Sequence, residues 1–395
     1  MNDDKVVIVS AKRTPIGSFQ GNFESLKATE LGSRVIEKNI NDISINPKEI
    51  DETIMGCVLP AGLGQAPARQ AAMGAGIPSE SGATTINKMC GSGMKSIMFG
   101  HDSIKAQQNN IVVAGGLENM TNAPYILSKA RKGFRMGHTD VKDHMFLDGL
   151  EDAYEEGKLM GSFAEDTAEH YQFTREQQDN FAITSLERAK KANEDGTFES
   201  EIVPIKVLNR KNEIIINKDE QPFKSDITKI PTLKPAFRKN GTVTAANSSS
   251  ISDGASSVIL MLESEAQKRG IKPLARIIDH STNSQKPKWF TTAPIGAIEK
   301  VLEKSGWKKT DVDLFEVNEA FAVVPMAVMK DIGISNDILN IYGGACALGH
   351  PVGASGTRIV TTLINALKKN NLKKGLASLC IGGGEATALT LEIIN

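Results

Sequence analysis

The chain has 395 residues, more than one hydrophobic core usually organises, so two or three packed domains are expected. With 40% hydrophobic residues, 35 glycines, 15 prolines and 5% aromatics, its composition is that of a compact α/β protein, not of a disordered or fibrous chain. Lysine plus arginine (46) nearly balance aspartate plus glutamate (47), which leaves no global field to draw the chain to nucleic acid or a membrane surface.

Any anionic ligand must therefore be held locally. The start, MNDDKVVIVSAKRTPIG, lacks the charged, apolar and small-residue regions of a secretory signal and is not acid-poor like a transit peptide, so a cytoplasmic protein is expected. No window approaches 18 consecutive apolar residues, which argues against a membrane span. Cys57, Cys90, Cys346 and Cys380 are scattered and form no C-x-x-C pair, so neither a metal site nor a disulfide framework is predicted.

In chain order, Val6 to Val9 reads as a buried first strand ending in a turn at Arg13-Thr14-Pro15 and Gly17. Ala83 to Asn87 leads into Cys90-Gly91-Ser92-Gly93 and then a helical stretch from Met94 to Gln108: strand, turn, helix. A second strand, Asn110 to Ala114, runs into Gly115-Gly116-Leu117-Glu118-Asn119. The stretch from about Thr121 to Ser249 differs in character, with charged helical patterning over Ala164 to Ala192, a β-like run at Glu213 to Asn217 and proline-punctuated loops, and it reads as an insertion. Its basic segment, Lys129 to Arg135, is either a solvated face or part of an interface.

The C-terminal third repeats the grammar. Leu314 to Asn318 reads as a strand, the glycine-rich Gly343 to Gly356 opens a helix from Thr357 to Lys368, and Ala377 to Ile381 runs into Gly382-Gly383-Gly384. Val112 to Glu118 parallels Leu379 to Glu385, which points to a duplicated pair of domains.

Three residues carry candidate chemistry. Cys90 sits where a glycine turn meets a helix start, so unpaired N–H groups and the helix dipole should favour its thiolate; a buried structural cysteine fits the local features equally well. His350 lies among small residues and before Pro351, where it can serve as a base or an oxyanion donor, or be an ordinary turn residue. Its loop lacks both the Walker ending and G-x-G-x-x-G, which disfavours a nucleotide cradle. Cys380 ends an apolar strand before three glycines that line an anion site or form a simple turn. Cys57 and Cys346 are assigned to packing.

Taken together, Asn87-Lys88-Met89-Cys90-Gly91-Ser92-Gly93-Met94, Val317-Asn318-Glu319-Ala320-Phe321, Gly349-His350-Pro351-Val352-Gly353-Ala354-Ser355-Gly356 and Cys380-Ile381-Gly382-Gly383-Gly384 resemble, in order, the four active-site blocks of the thiolase family. The resemblance covers essentially the whole chain. It implies an α/β protein of five layers, α-β-α-β-α, with two pseudo-symmetric domains (1–120 plus 250–272, and 273–395) and a loop domain (121–249) for CoA contacts and oligomerisation. It implies Cys90 as the acylated nucleophile, His350 as the group that activates it, and Cys380 as the acid/base at the α-carbon of the second substrate. His350 and a water held by Asn318 would serve the enolate, and the N–H groups of Cys90 and Gly382 the tetrahedral intermediate. Ser249, Met160, Leu150, Ala320 and Phe321 would lie near the pantetheine.

The resemblance further implies CoA thioesters as substrates with no permanently bound cofactor, and a homodimer or homotetramer in lipid metabolism. The Cys-Gly-Ser-Gly loop and the run from Gly116 to Tyr125 are closer to the branch that condenses two acetyl-CoA than to the long-chain β-oxidation branch. Departures are Leu159 where a histidine is usual, Tyr342 where an asparagine is common, Ser250 where a glycine is usual, and Phe223-Lys224 where an arginine often faces the adenine. A broad-range degradative thiolase and a non-catalytic acyl-CoA-binding protein are the alternatives. A ketosynthase-like enzyme is disfavoured, because Asn318 stands where that group would place a histidine.

Overall fold

The computed structural model describes residues 4–209 and 212–394; Met1 to Asp3, part of the N-terminal stretch read above, and Asn395 lie outside them. The first half runs β1 (Val6–Arg13), α1 (Ala28–Asp42), β2 (Glu52–Gly56), α2 (Pro67–Gly74), β3 (Gly82–Ile86), α3 (Ser92–Lys105) and β4 (Ile111–Asn119). There follow α4 (Met160–Tyr171), α5 (Arg175–Glu194) and the hairpin of β5 (Ile205–Asn209) and β6 (Asn212–Ile216) before β7 (Ser252–Leu262). The second half runs β8 (Ala275–Ser284), α6 (Ala293–Ser305), β9 (Leu314–Val317), α7 (Val323–Val328), α8 (Ser355–Lys369), β10 (Lys374–Ile381) and β11 (Glu385–Ile393).

Strand order across the sheet is β9-β10-β11-β8-β1-β7-β4-β2-β3. The β2, β3 and β4 contacts and the β9–β10 contact are parallel, whereas β7, β8 and β11 pair antiparallel to their neighbours. The halves join where β1 meets β8, with Val7 opposite Arg276 and Ile8 opposite Ala275. In the second half the counterpart of edge strand β3 is reduced to one bridge, Phe315 to Leu339.

The alternation of side chains along the strands builds the layers. Val112 and Ala114 of β4, with Leu379 and Leu391 of the second half, face a central layer made by Met94 and Ile97 of α3 and by Ile359, Val360 and Leu363 of α8. Ile111 and Val113 point the other way onto Leu31 and Val35 of α1 and Ala71 of α2. In the second half Phe315, Val317 and Leu376 face Ala297 and Val301 of α6 and Val323 of α7. The result is five layers, α-β-α-β-α. At the centre α3 and α8 approach closely, since a Cβ on Gly356 would lie 2.2 Å from the Met94 nitrogen.

The segment between β4 and β7 leaves and returns between two adjacent strands, with Asn119 opposite Asp253 and Ile111 opposite Met261. Its helices pack on the second half, with Phe163 and Ala164 sharing a core with Phe290, Phe321 and Val323. The helical patterning read over Ala164 to Ala192 is two helices rather than one, broken at Gln172, which has φ +56°. Lys129 to Arg135 is exposed throughout. The first strand is longer than its apolar run because Arg13, placed in a turn by the sequence, is a buried strand residue. Its guanidinium lies 2.6 Å from Glu201 and 2.6 Å from Asp219, tying the insertion to β1.

Candidate active site

Four loops meet where the first half touches the second. After β3 the chain turns through Asn87 to Cys90. Asn87 Oδ1 accepts from Met89 N–H (2.9 Å), and Ser92 Oγ accepts from Lys88 N–H (2.8 Å) and donates to the Met89 carbonyl (2.6 Å). These bonds hold Met89 at φ +46°, a conformation that non-glycine residues adopt at a cost, and so fix Cys90 immediately before α3. A Cβ on Gly91 would lie 2.3 Å from Ile381, which places the Cys90 loop directly against the end of β10 that carries Cys380.

The sequence reading expected the helix start to favour the Cys90 thiolate. The structure corrects this: packing around the sulfur pushes the thiol up to about 11, outweighing the N–H groups of Gly382 and of Cys90 itself, which lower it. Cys90 therefore rests as a thiol and needs a base. Cys380 is fully buried, opposite Ala386 in the β10–β11 pair, and burial and the neighbouring Cys90 raise it well above an ordinary thiol.

His350 follows a one-turn helix, Ala345–Leu348, that ends at Gly349 with φ +109°; a Cβ there would lie 2.1 Å from Ser252 Oγ, so only glycine fits. The His350 N–H donates to the Ser250 carbonyl (3.2 Å), and its Nδ1 lies 2.6 Å from Ser355 Oγ. Nε2 is buried and has no hydrogen-bond partner among the described residues. Burial, with Arg358 nearby, pushes the imidazole down to about 3, so His350 is neutral at physiological pH.

Asn318 stands just past β9, its N–H donating to the Ser378 carbonyl (3.0 Å) two residues before Cys380. Arg358 Nη2 donates to Asn318 Oδ1 (3.4 Å), which turns the amide so that Nδ2 is the free end. That Nδ2 is buried and, like His350 Nε2, has no partner among the described residues. A buried donor left unmade is costly, so a site that retains one is built for a ligand or a water.

The predicted pantetheine neighbours lie around the same place. Ser249 N–H donates to the Ala320 carbonyl (2.9 Å), and Ser248 bridges Phe321, so these residues form one wall. Met160 opens α4 with its Sδ 3.6 Å from where a Cβ on Gly382 would stand. Leu150 packs in a cluster with Met89, Cys90, Val58 and Val352.

Sequence reasoning gave no role to Ser355, Arg358 or Glu118. Ser355 and Arg358 follow His350 by five and eight residues at the start of α8, which was the available signal. Glu118 is fully buried and accepts N–H bonds from Val58 (2.9 Å), Leu59 (3.1 Å) and Gly353 (2.9 Å), binding the His350 loop to the first half. Cys57 is buried in the core of the first half and Cys346 packs partly buried against that of the second, their sulfurs 3.8 Å from Glu118 and 3.6 Å from the Glu319 carbonyl.

Known proteins resemble the chain along its whole length. Residues 6–264 match the family model for the thiolase N-terminal domain and residues 271–393 that for the thiolase C-terminal domain. A probable acetyl-CoA acetyltransferase of Dictyostelium discoideum is 50% identical over 99% of this chain and 94% of its own length. The crystal structure of the Bacillus anthracis acetyl-CoA acetyltransferase superposes with a TM-score of 0.96 at 40% identity, covering 99% of both chains. A thiolase of Ascaris suum in complex with coenzyme A gives 0.94 at 40% identity, covering 99% of this chain and 100% of the other.

Proposed function

The chain belongs to the thiolase family, and from that premise we propose that it is an acetyl-CoA C-acetyltransferase, joining two acetyl-CoA into acetoacetyl-CoA and CoA and running the reverse thiolysis. The observation that carries the mechanistic reading is the convergence of two thiols, Cys90 and Cys380, with two buried and unpartnered polar atoms, His350 Nε2 and Asn318 Nδ2.

In the first half-reaction His350 Nε2 takes the Cys90 proton and keeps it, the sulfur attacks the thioester carbonyl, and the departing CoA sulfur receives the thiol proton of Cys380, which is left as the thiolate. The N–H groups of Cys90 and Gly382, which already point at the sulfur, receive the oxyanion. In the second, the Cys380 thiolate left by that step removes an α-proton from another acetyl-CoA. The enolate oxygen is met by His350 in its Nε2–H form and by a water on Asn318 Nδ2, and the carbanion attacks the acetyl-cysteine, expelling the Cys90 sulfur, which takes its proton back from His350. Ser249, Ala320, Phe321, Met160 and Leu150 are assigned to the pantetheine wall, and coenzyme A thioesters are substrates rather than a resident cofactor.

The same reading divides the chain into 1–120 plus 250–272, a loop domain 121–249, and 273–395, and makes it a cytoplasmic homodimer or homotetramer of lipid metabolism. Among the described residues no helix is long and apolar enough to cross a membrane. Incubation with acetyl-CoA followed by peptide mass spectrometry tests the mechanism. An acetyl adduct on Cys90, absent in Cys90→Ser, is expected; acyl-CoA binding with no adduct would leave only a binding protein. Thiolysis rates over an acyl chain-length series separate the acetoacetyl-CoA enzyme from a broader degradative one, a question raised by Leu159 beside Met160.

A further inference from the structure

Well away from the four loops, near the far end of α3, three side chains from both halves converge. His101 and Asp102 lie on α3, about three helical turns beyond Cys90, and His280 lies on β8. His101 Nδ1 is 3.0 Å from Asp102 Oδ1, His280 Nε2 is 2.9 Å from the same oxygen, and the two ring nitrogens are 3.3 Å apart. The imidazoles meet edge to face, their centroids 5.0 Å apart, and both are largely enclosed, while Asp102 is open to solvent.

Two N–H groups donating to one carboxylate oxygen can hold this triangle, and so can a cation. An ion bound by all three atoms fits its dimensions, because bonds of about 2.0–2.1 Å at angles between octahedral and tetrahedral set donor atoms about 2.9–3.4 Å apart. The three measured sides fall within that span. Two imidazoles and one carboxylate on one face are a donor set suited to first-row transition ions and leave the solvent side for water ligands. Of the nearby cations, Lys304 is engaged by Asp279 (2.5 Å) and Lys300 by Asn283 Oδ1 (2.7 Å), while Lys95, within electrostatic reach of Asp102, sits over the Phe99 ring.

We propose that His101, Asp102 and His280 bind one divalent transition ion of the Zn²⁺ type, which clasps α3 of the first half to β8 of the second. Because the ligands come from both halves, the ion binds the folded chain and not the unfolded one, and so stabilises it.

The test uses tag-free, chelator-stripped full-length protein titrated with Co²⁺ and then with Zn²⁺. One Co²⁺ per chain is expected, with visible ligand-field absorption but no thiolate charge-transfer band, displaced by Zn²⁺, and with an unfolding midpoint raised by a few degrees at saturating Zn²⁺. His280→Ala and Asp102→Asn should each lose that binding and that shift while keeping wild-type thiolysis in metal-free buffer, which shows that they fold. Absence of stoichiometric binding, a thiolate charge-transfer band, or binding that survives in both variants would overturn the proposal.

Discussion

His350 and Ser355 share a 2.6 Å contact in which either atom can carry the hydrogen, because Ser355 Oγ has a second acceptor, the Pro351 carbonyl, 3.0 Å away. With the hydroxyl hydrogen on Pro351, the imidazole donates through Nδ1 and Nε2 is a base. With the hydroxyl donating to Nδ1, Nε2 carries the hydrogen and is an oxyanion donor. One serine thus orients the ring both when Nε2 acts as a base and when it carries the hydrogen as an oxyanion donor. Ser355→Ala is expected to lower kcat on the order of 100-fold through loss of ring orientation, with the fold intact and Ser355→Thr recovering much of the loss. A wild-type rate in Ser355→Ala would remove the serine from the mechanism.

Asn318 Nδ2 is aimed into the site by the Arg358 bond to its carbonyl. If it holds the enolate's water, Asn318→Ala should reduce kcat by about 10²–10³-fold and leave KM for the first acetyl-CoA nearly unchanged, since the donor matters in the transition state. Steady-state kinetics in the condensation direction, together with retained Cys90 acetylation, provide the check.

The resting Cys90 thiol at about 11 and the neutral His350 at about 3 fix a pH profile. Alkylation of Cys90 by iodoacetamide, without acyl-CoA, should accelerate with pH and show its midpoint well above that of a free cysteine, because the thiolate fraction grows as pH approaches 11. No inflection is expected between about pH 5 and 8, the range in which an ordinary imidazole titrates. An inflection near neutrality would mean a Cys90–His350 ion pair in the resting enzyme.

Burial raises the Glu118 carboxyl from the ordinary 4.5 to about 7, although three backbone N–H groups lower it. Its folded value lies above its unfolded one, so its contribution to stability is complete below pH 4.5 and is lost as pH rises through 7. Glu118→Gln should cost stability by removing acceptors from Val58, Leu59 or Gly353, and should also flatten the pH slope, a difference on the order of 3 kcal/mol across that window. Chemical denaturation of both proteins at several pH values measures it; parallel slopes would contradict the assignment.

Much of the fold was legible because hydrophobic runs and glycine turns are local properties. The strands near 111, 314 and 377 and the helices after Cys90 and His350 lie where apolar pattern and turn chemistry put them. The errors also have local causes. Arg13 looked like a turn residue because a charged side chain before Thr14-Pro15 carries no sign that Glu201 and Asp219 will neutralise it in the interior. Cys90 looked like a thiolate because a helix start is visible in sequence, while the packing that outweighs it is not.

By itself the sequence determined which residue types stand at the ends of which strands, since chain order and short-range backbone preference fix Cys90 before α3, Asn318 after β9 and Cys380 before its glycines. Only the tertiary structure decided that these ends meet, that His350 is neutral, that Asn318 shows its Nδ2 rather than its Oδ1, and that Glu118 joins loops more than 200 residues apart. Burial and hydrogen-bond partnership depend on what the rest of the chain brings alongside. Neighbours in space, many of them distant in sequence, set the charge and aim of the polar atoms in this site.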